Sequence, residues 1–344
     1  MTSQNIAHRV ETGDRRRESW PVLMAGVDRR EFVGNVSKTF VAVCLGSVAR
    51  GGAATKPLFE ISLAQWSLHR ALRAGDIDAL DFPRVARREF DIDAVEYVNQ
   101  FYVDRGRDQT YLRELKAVAD GEGVRNLLIM CDGEGALGDP HLPLRRLAVE
   151  NHRVWIEAAQ LLGCHAIRVN AESDSSLNSK EQQQWIADGL HSLCEVADAY
   201  EIDVLVENHG GLSSDGGWLA ELIRMADHPR AGTLPDFGNF LMEPDPEDPA
   251  GGRWYDRYCG VRELMPWAKA VSAKSHHFDD HGEENATDYT RMMEIVLDAG
   301  YRGWVGIEYE GEVLGEWEGI RATKKLLERV RAELAPRYQD NKTL

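Results

Sequence analysis

The sequence predicts one (β/α)8 barrel of the α/β class, the TIM-barrel architecture. After residue 54, eight short β-rich runs alternate with longer amphipathic stretches over about 290 residues. This length and this alternation are typical of the fold. A doubly wound sheet would require a glycine-rich dinucleotide turn after its first strand, and Gln65–Leu68 is not such a turn. No linker, repeat or low-complexity tract divides residues 55–344, so we expect a single barrel domain.

The strands and helices follow one another in chain order. Short runs rich in β-branched and apolar residues predict the strands Phe59–Leu63, Ala94–Val98, Asn126–Met130, Ala166–Asn170, Asp203–Glu207, Gly232–Asp236, Ala270–His276 and Trp304–Glu308. Apolar residues spaced by three and four positions predict helices, clearest at Leu144–Leu162, Lys180–Tyr200, Asp215–Ala226, Thr287–Ala299 and Gly319–Leu334. Gly163 and Gly300 end two of these helices just before the next strand.

Residues 1–54 form a separate segment that resembles an export signal. They hold eight Lys or Arg and five Asp or Glu, whereas the rest of the chain is strongly acidic. Arg29 and Arg30 precede Phe32, an apolar run over 40–48 and a small-residue exit over 51–54, an order typical of a twin-arginine signal. We therefore expect a periplasmic or exported protein. If this segment is instead a disordered basic tail, we expect a cytoplasmic one.

Composition excludes several classes of partner. The net charge of -17 repels nucleic-acid phosphates. No run reaches the ~18 apolar residues that a membrane span needs. The five cysteines are widely spaced without a CxxC pair, which excludes a zinc ribbon and a disulfide-stapled scaffold. We expect a small-molecule ligand and no nucleic-acid partner, while a homo-oligomer stays open.

Alternation along the predicted strands indicates which side chains face the barrel interior. Val204 and Val206 suit the helix layer, so Glu207 points inward, and Val305 and Ile307 likewise leave Glu308 inward. The same argument sends further polar residues inward at the strand C-termini, namely Glu96, Arg168, Asn170, Asp236, Ser272, Lys274 and His276, with His209 just beyond the fifth strand. That end of the barrel carries the chemistry in barrel enzymes.

Inward carboxylates need compensation, because an isolated buried anion is very costly. Either cations neutralise them or they ligate a metal. One alternative is a plain polar mouth in which Arg168 and Lys274 form salt bridges with the carboxylates. A second alternative makes His276 and His277 exposed loop residues, and for His277 this is the favoured interpretation.

Four segments resemble the sugar phosphate isomerase/epimerase family, the xylose-isomerase-like TIM barrels, over roughly residues 58–335. They are Val206–His209 with Gly210, Leu234–Asn239, Ala273–Asp279 and Gly306–Gly311. The resemblance implies one divalent ion, Mn2+ first and Mg2+, Co2+ or Zn2+ as alternatives. Residue by residue, its ligands would be Glu207, Asp236, His276 and Glu308. The seventh strand departs from the His-x-Lys-Asp run of many relatives, whose histidine falls at Ser272, so His277 or a water stays open as that ligand.

The same resemblance implies sugar isomerisation or epimerisation through an enediolate. Glu207 and Glu308 would be the catalytic acid and base on opposite faces of the substrate. Expected substrate contacts are His209, Asn239, Arg168, Asn170, Lys274, Glu96, Trp66 and His69. Asp132, after the third strand, is expected near them, as a substrate contact or as a residue that supports one. Trp66 and His69 would stack on a sugar face, although plain packing explains Trp66 equally well.

Other functions stay open at this point. A lyase, dehydratase or glycoside-cleaving enzyme would use the same proton abstraction and then lose a β-substituent. A periplasmic sugar-binding protein would need no turnover at all. A phosphodiesterase is disfavoured, because such barrels need more metal histidines and a basic groove. The acidic composition and the export signal favour a free sugar, keto-sugar or glycoside over a phosphorylated one.

Overall fold

Eight parallel strands form one curled sheet in the computed structural model, which describes residues 56–248 and 251–339. In chain order the strands are β1 (Glu60–Ala64), β2 (Ala94–Val98), β3 (Arg125–Met130), β4 (Ala166–Val169), β5 (Asp203–Glu207), β6 (Ala231–Leu234), β7 (Leu241–Pro244), β8 (Gly252–Trp254), β9 (Val271–Ser275) and β10 (Trp304–Tyr309). Strands β7 and β8 form a separate antiparallel hairpin, and the other eight correspond to the eight predicted strands. The predicted export signal lies outside the described residues.

The sheet closes into a barrel. Its order is β6-β5-β4-β3-β2-β1-β10-β9, and isolated parallel bridges join β6 to β9 at Thr233–Ala268 and Asp236–Ser272. Ser272 N donates to Pro235 O at 2.9 Å across this seam. The (β/α)8 prediction is therefore confirmed, and the closing bridge sets Asp236 beside Ser272.

Nine α-helices are present in the part of the chain that the structure describes. They are α1 (His69–Ala74), α2 (Phe82–Phe90), α3 (Gln109–Glu122), α4 (Leu142–Leu162), α5 (Ser179–Asp198), α6 (Gly216–Ala226), α7 (Arg257–Leu264), α8 (Tyr289–Asp298) and α9 (Glu316–Gln339). The five predicted helices correspond to α4, α5, α6, α8 and α9. Polar side-chain caps begin five of these helices, namely α3, α5, α6, α7 and α8. At α5, for example, Asn178 and Glu181 form a capping box. Within the described ranges, no helix has the length and apolarity needed to cross a membrane.

The core has two parts, as the strand alternation predicts. Outward residues such as Val204 and Ile307 are fully buried between the sheet and the helices. Inward apolar residues form a second, smaller cluster inside the barrel, namely Ala64, Val98, Leu128, Met130, Ala166, Leu205, Leu234 and Ala270.

Candidate active site

Three buried carboxylates meet at the C-terminal mouth of the barrel. Glu207 ends β5, Asp236 follows β6 and Glu308 lies near the end of β10. Asp236 and Glu207 are 0 % exposed and Glu308 is 3 % exposed. One oxygen of each lies within 4.8 Å of the others, so a single ion can reach all three. The structure therefore brings together three of the four residues that the sequence suggests as metal ligands.

A tight turn after β6 orients the Asp236 carboxylate. Its Oδ1 accepts hydrogen bonds from the backbone N of Gly238 and of Asn239, both at 2.8 Å. Asn208 holds the same turn, since its Oδ1 accepts from Asp236 N at 2.8 Å and its Nδ2 donates to Asp236 O at 3.0 Å. Oδ2 is left to face the group of carboxylates, where Ser272 Oγ lies 2.7 Å away.

Two buried cations contact the carboxylates. Arg168 Nε lies 2.8 Å from Glu207 Oε2, but the angles are poor and neither atom has a directed hydrogen bond. Lys274 Nζ lies 3.1 Å from Glu308 Oε1 and 3.1 Å from Glu310 Oε2. These ion pairs are the ones expected if salt bridges alone neutralise the carboxylates. However, these two cations face at least four carboxylates at the mouth. The salt bridges alone leave negative charge in excess.

The electrostatics of the group favour a further positive charge. Burial raises the pKa of Glu207 and that of Asp236, and repulsion between the neighbouring carboxylates adds to both shifts, against the opposing charges of Arg168 and Lys274. Glu207 Oε2 is buried without a directed donor. Three oxygen ligands of this kind fit a divalent cation, whose charge would relieve the repulsion.

The seventh barrel strand does not bring a histidine to this group. His276 follows the last residue of β9, and its half-exposed side chain lies with Nε2 3.8 Å from Glu310 Oε2. His277 is exposed. The residue of this strand that lies beside the carboxylates is Ser272, with Oγ 2.7 Å from Asp236 Oδ2 and 3.1 Å from Glu308 Oε2.

A cavity of about 300 Å³ opens beside the carboxylates. Its lining includes Glu308 and four of the expected substrate contacts, namely Trp66, Arg168, Asn170 and His209. Two more of these residues contact the carboxylates directly, because Asn239 Nδ2 donates to Glu207 Oε1 at 3.1 Å and Lys274 pairs with Glu308. The cavity volume suits a monosaccharide-sized ligand.

Trp66 and His69 contact each other rather than an open face. Their rings stack with centroids 4.9 Å apart at 16°. The guanidinium of Arg73 lies 4.8 Å from the centroid of the Trp66 ring. His69 Nδ1 lies 2.7 Å from Trp66 O. Trp66 Nε1 donates to Glu310 Oε1, so its polar edge is the part directed at the mouth.

Glu96 lies deeper than a substrate contact would. It is 1 % exposed, and Ser62 Oγ donates to its Oε1 at 2.6 Å. Burial raises its pKa to about 7. It borders a second cavity of about 250 Å³ at the N-terminal end of the barrel, next to Trp304 and Tyr301. The structure thus separates Glu96 from the mouth cavity.

Two more acidic residues lie at the mouth, Glu310, which sequence reasoning missed, and Asp132, which it expects there after the third strand. Glu310 accepts from Trp66 and pairs with Lys274. Asp132 Oδ1 lies 2.6 Å from Arg168 Nη1 and accepts from Asn170 Nδ2 at 2.8 Å. Burial acts against the ionised form of Asp132, but the Arg168 charge and these hydrogen bonds prevail and lower its pKa to about 2. Glu310 lies two positions beyond the inward Glu308, so the alternation of β10, continued past its end, could have found it.

Solved structures with a similar fold include two epimerase-related proteins. A D-tagatose 3-epimerase-like protein shares 20% identity over 81% of this chain and 99% of its own, with a TM-score of 0.61. The 3-keto-D-glucoside 4-epimerase of E. coli shares 18% identity over 74% of this chain and 94% of its own, with a TM-score of 0.56. At these identities the likeness shows the fold.

Comparison of the amino-acid sequence with known proteins identifies the family of this chain. A C-glycoside deglycosidase alpha subunit from Microbacterium trichothecenolyticum is 30% identical, over 77 residues that make up 22% of this chain and 21% of that relative. The match therefore spans about a fifth of the length of the curated relative. A far longer match, over residues 85–332, is to the profile of one barrel family. The chain belongs to the xylose isomerase-like TIM barrel family.

Proposed function

We propose that this protein is a divalent-metal-dependent isomerase or epimerase of a sugar or keto-sugar. One observation carries the proposal: three buried carboxylates from β5, β6 and β10 lie within 4.8 Å of one another beside a mouth cavity. The family, together with the epimerase-related proteins of similar fold, supports a carbohydrate substrate.

Glu207, Asp236 and Glu308 would hold the cation. A divalent ion at that place supplies a Lewis acid for a sugar carbonyl oxygen and an adjacent hydroxyl. Mn2+ is our first expectation, with Mg2+, Co2+ and Zn2+ as alternatives. Arg168 and Lys274 balance part of the charge of the carboxylates whether or not an ion is bound.

Glu207 and Glu308 would move the proton. Around the barrel, β6 and β9 lie between the strands that carry them, so the two carboxylates approach a substrate from different sides. One carboxylate accepts the proton from the carbon beside the carbonyl, and the electron pair of the broken C–H bond moves toward the carbonyl oxygen. For epimerisation, the other carboxyl group donates a proton to the opposite face of the same carbon. For isomerisation, a proton returns to the neighbouring carbon, and the hydroxyl proton of the enediol moves to the former carbonyl oxygen.

Polar side chains around the cavity would orient the hydroxyl groups. Asn170 and His209 line the cavity, and Asn239 holds Glu207. Arg168 is already engaged by Asp132 and Glu207, which leaves it little freedom to bind a substrate phosphate. This arrangement favours an unphosphorylated substrate.

Elimination is the second candidate, because a curated relative is a C-glycoside deglycosidase subunit. The same carboxylate would remove the proton beside the keto group, after which the bond to the β-substituent breaks and that group leaves with the electron pair. The second carboxyl group would protonate the leaving group rather than the sugar carbon.

Proton NMR in D2O separates the two reactions. The Mn2+-loaded protein is screened against monosaccharides, keto-sugars and glycosides. An isomerase or epimerase exchanges one C–H for deuterium and forms an isomer, whereas an eliminating enzyme releases an aglycone or water. Glu207→Gln and Glu308→Gln should each lose turnover while keeping the fold. Glu195→Gln, an exposed change on α5, serves as the matched control. A protein that binds sugars without any turnover would overturn the proposal.

Export is a separate proposal that rests on Arg29 and Arg30. Changing both to lysine should retain the protein in the cytoplasm if a twin-arginine signal directs it. Fractionation of cells that express each form measures this directly. An unchanged distribution between the two compartments would contradict it.

A further inference from the structure

We infer that the mouth binds its cation through oxygen atoms alone, with the Ser272 hydroxyl as the fourth oxygen beside Glu207, Asp236 and Glu308. The inference rests on the proposed function, because it concerns the same metal centre. It assigns to Ser272 the place that the sequence resemblance gives to a histidine. It also predicts that the ligand set is hard, with no nitrogen donor.

The barrel places Ser272 between two of the three carboxylates, Asp236 and Glu308. Ser272 pairs with Gly306 of β10 on one side and bridges to Asp236 on the other. Its side chain is 1 % exposed, with Oγ 2.7 Å from Asp236 Oδ2 and 3.1 Å from Glu308 Oε2. The seam of the barrel thus holds this hydroxyl level with the carboxylate oxygens.

The hydroxyl cannot satisfy both carboxylates by itself. A serine has one proton to donate, yet two carboxylate oxygens lie within hydrogen-bond distance of Oγ. The second oxygen therefore needs a proton or a cation to offset repulsion between the oxygen atoms. A divalent ion that accepts a lone pair from Oγ removes this conflict, and it also compensates Glu207 Oε2, which lacks a directed donor.

The nearby imidazoles lie outside the carboxylate group, although His209 lines the mouth cavity beside it. His276 is half-exposed beside Glu310, and its backbone N donates to Glu284 Oε1 at 3.4 Å, a contact that belongs to the loop after β9. His209 and His277 are exposed. In the part of the chain that the structure describes, the carboxylate group with metal-binding spacing contains no histidine or cysteine.

An oxygen-only site changes the selectivity among metals. Carboxylate and hydroxyl oxygens suit Mg2+ and Mn2+, whereas imidazole nitrogen adds most to the binding of Zn2+ and later transition metals. The ratio of Zn2+ affinity to Mn2+ affinity should therefore be smaller here than at a protein site that contains an imidazole ligand. Introducing an imidazole at position 272 should raise that ratio.

Equilibrium dialysis of Mn2+, with Zn2+ as competitor, tests the inference on the whole chain. Ser272→Ala should weaken Mn2+ binding, while Ser272→Thr, which keeps a hydroxyl, should retain more of it. Ser272→His should raise the ratio of Zn2+ to Mn2+ affinity by about tenfold or more. His276→Ala is the matched control and should bind Mn2+ as the wild type does.

Failure of the inference is distinct from failure of the proposed function. If the wild type binds Mn2+ but His276→Ala loses it, His276 is a ligand and the oxygen-only site is wrong. If the wild type binds no divalent ion, the metal-dependent function falls as well. Circular dichroism checks the fold of each Ser272 variant. If one Ser272 variant does not fold, the others still test the hydroxyl, and the half-exposed His276 variant tests separately whether that imidazole is a ligand.

Discussion

Arg168 Nε lies 2.8 Å from Glu207 Oε2, and both side chains are buried in the mouth of the barrel. Arg168 also contacts Asp132 with Nη1 at 2.6 Å, so one guanidinium joins β4 to β5 and to the end of β3. The Arg168 guanidinium therefore has a structural role in the site, because it holds Asp132 and Glu207 together. Its loss would leave two carboxylates without their compensating charge.

Arg168→Met should therefore destabilise the protein. Removing one partner of a buried ion pair costs about 3–5 kcal/mol in the free energy of unfolding, because the remaining charge stays buried. Urea unfolding in the presence of a chelator measures it without a contribution from bound metal. The double variant Arg168→Met, Glu207→Gln should recover part of the loss. A single variant as stable as the wild type would show that the contact contributes nothing.

Glu96 should make stability depend on pH. Burial raises its pKa to about 7 in the folded protein, whereas an unfolded glutamate titrates near ~4.3. Between these values the folded state binds more protons, so the stability of the wild type falls as pH rises through this window. Glu96→Gln removes that dependence. Its stability relative to the wild type should rise by about 3 kcal/mol between about pH 5 and about pH 8.

Chemical unfolding at several pH values compares the two proteins. Glu195→Gln reports the effect of losing one exposed carboxylate. Parallel stability curves for the wild type and Glu96→Gln would mean that Glu96 titrates alike in the folded and unfolded states.

Gly319 sets the approach of α9 to the strand that carries Glu308. A Cβ at this buried position would overlap the ring of Tyr309, which follows Glu308 on β10. Gly319→Ala should cost about 1–3 kcal/mol, because a packed ring must move. Gly121→Ala on the exposed side of α3 is the matched control, since a Cβ there meets nothing within 4 Å. That change should stabilise the protein by about 0.5 kcal/mol. Thermal unfolding compares the two, and equal shifts would contradict the packing argument.

The sequence predicts the strands well because each one alternates an apolar outward face with an inward face. Val204 and Val206 in β5 identify Glu207 as inward, and the structure agrees. The short helix α1 and the charged helix α2 lack a long apolar repeat, so periodicity misses them. The hairpin of β7 and β8 is exposed and has too little apolar surface to mark it.

The same alternation predicts side-chain direction less reliably beyond the end of a strand. Glu310 continues it and reaches Lys274, whereas His276 lies beyond the last residue of β9, and its half-exposed side chain lies beside Glu310. The course of the loop after β9 leaves no trace in the alternation along the strand. Sequence reasoning therefore places three carboxylates at the mouth but cannot tell Ser272 from His276 as the residue beside them. The export segment lies outside the residues described, and its role stays a prediction.

The number of Mn2+ ions bound per chain tests the central claim most directly. Equilibrium dialysis should give one Mn2+ per wild-type chain, because Glu207, Asp236 and Glu308 offer oxygens within reach of one ion. Asp236→Asn should reduce binding to near zero, while Asp245→Asn, an exposed change on the loop after β7, should leave it unchanged. A wild type that binds no ion, or an Asp236→Asn variant that binds as well as the wild type, would contradict the account.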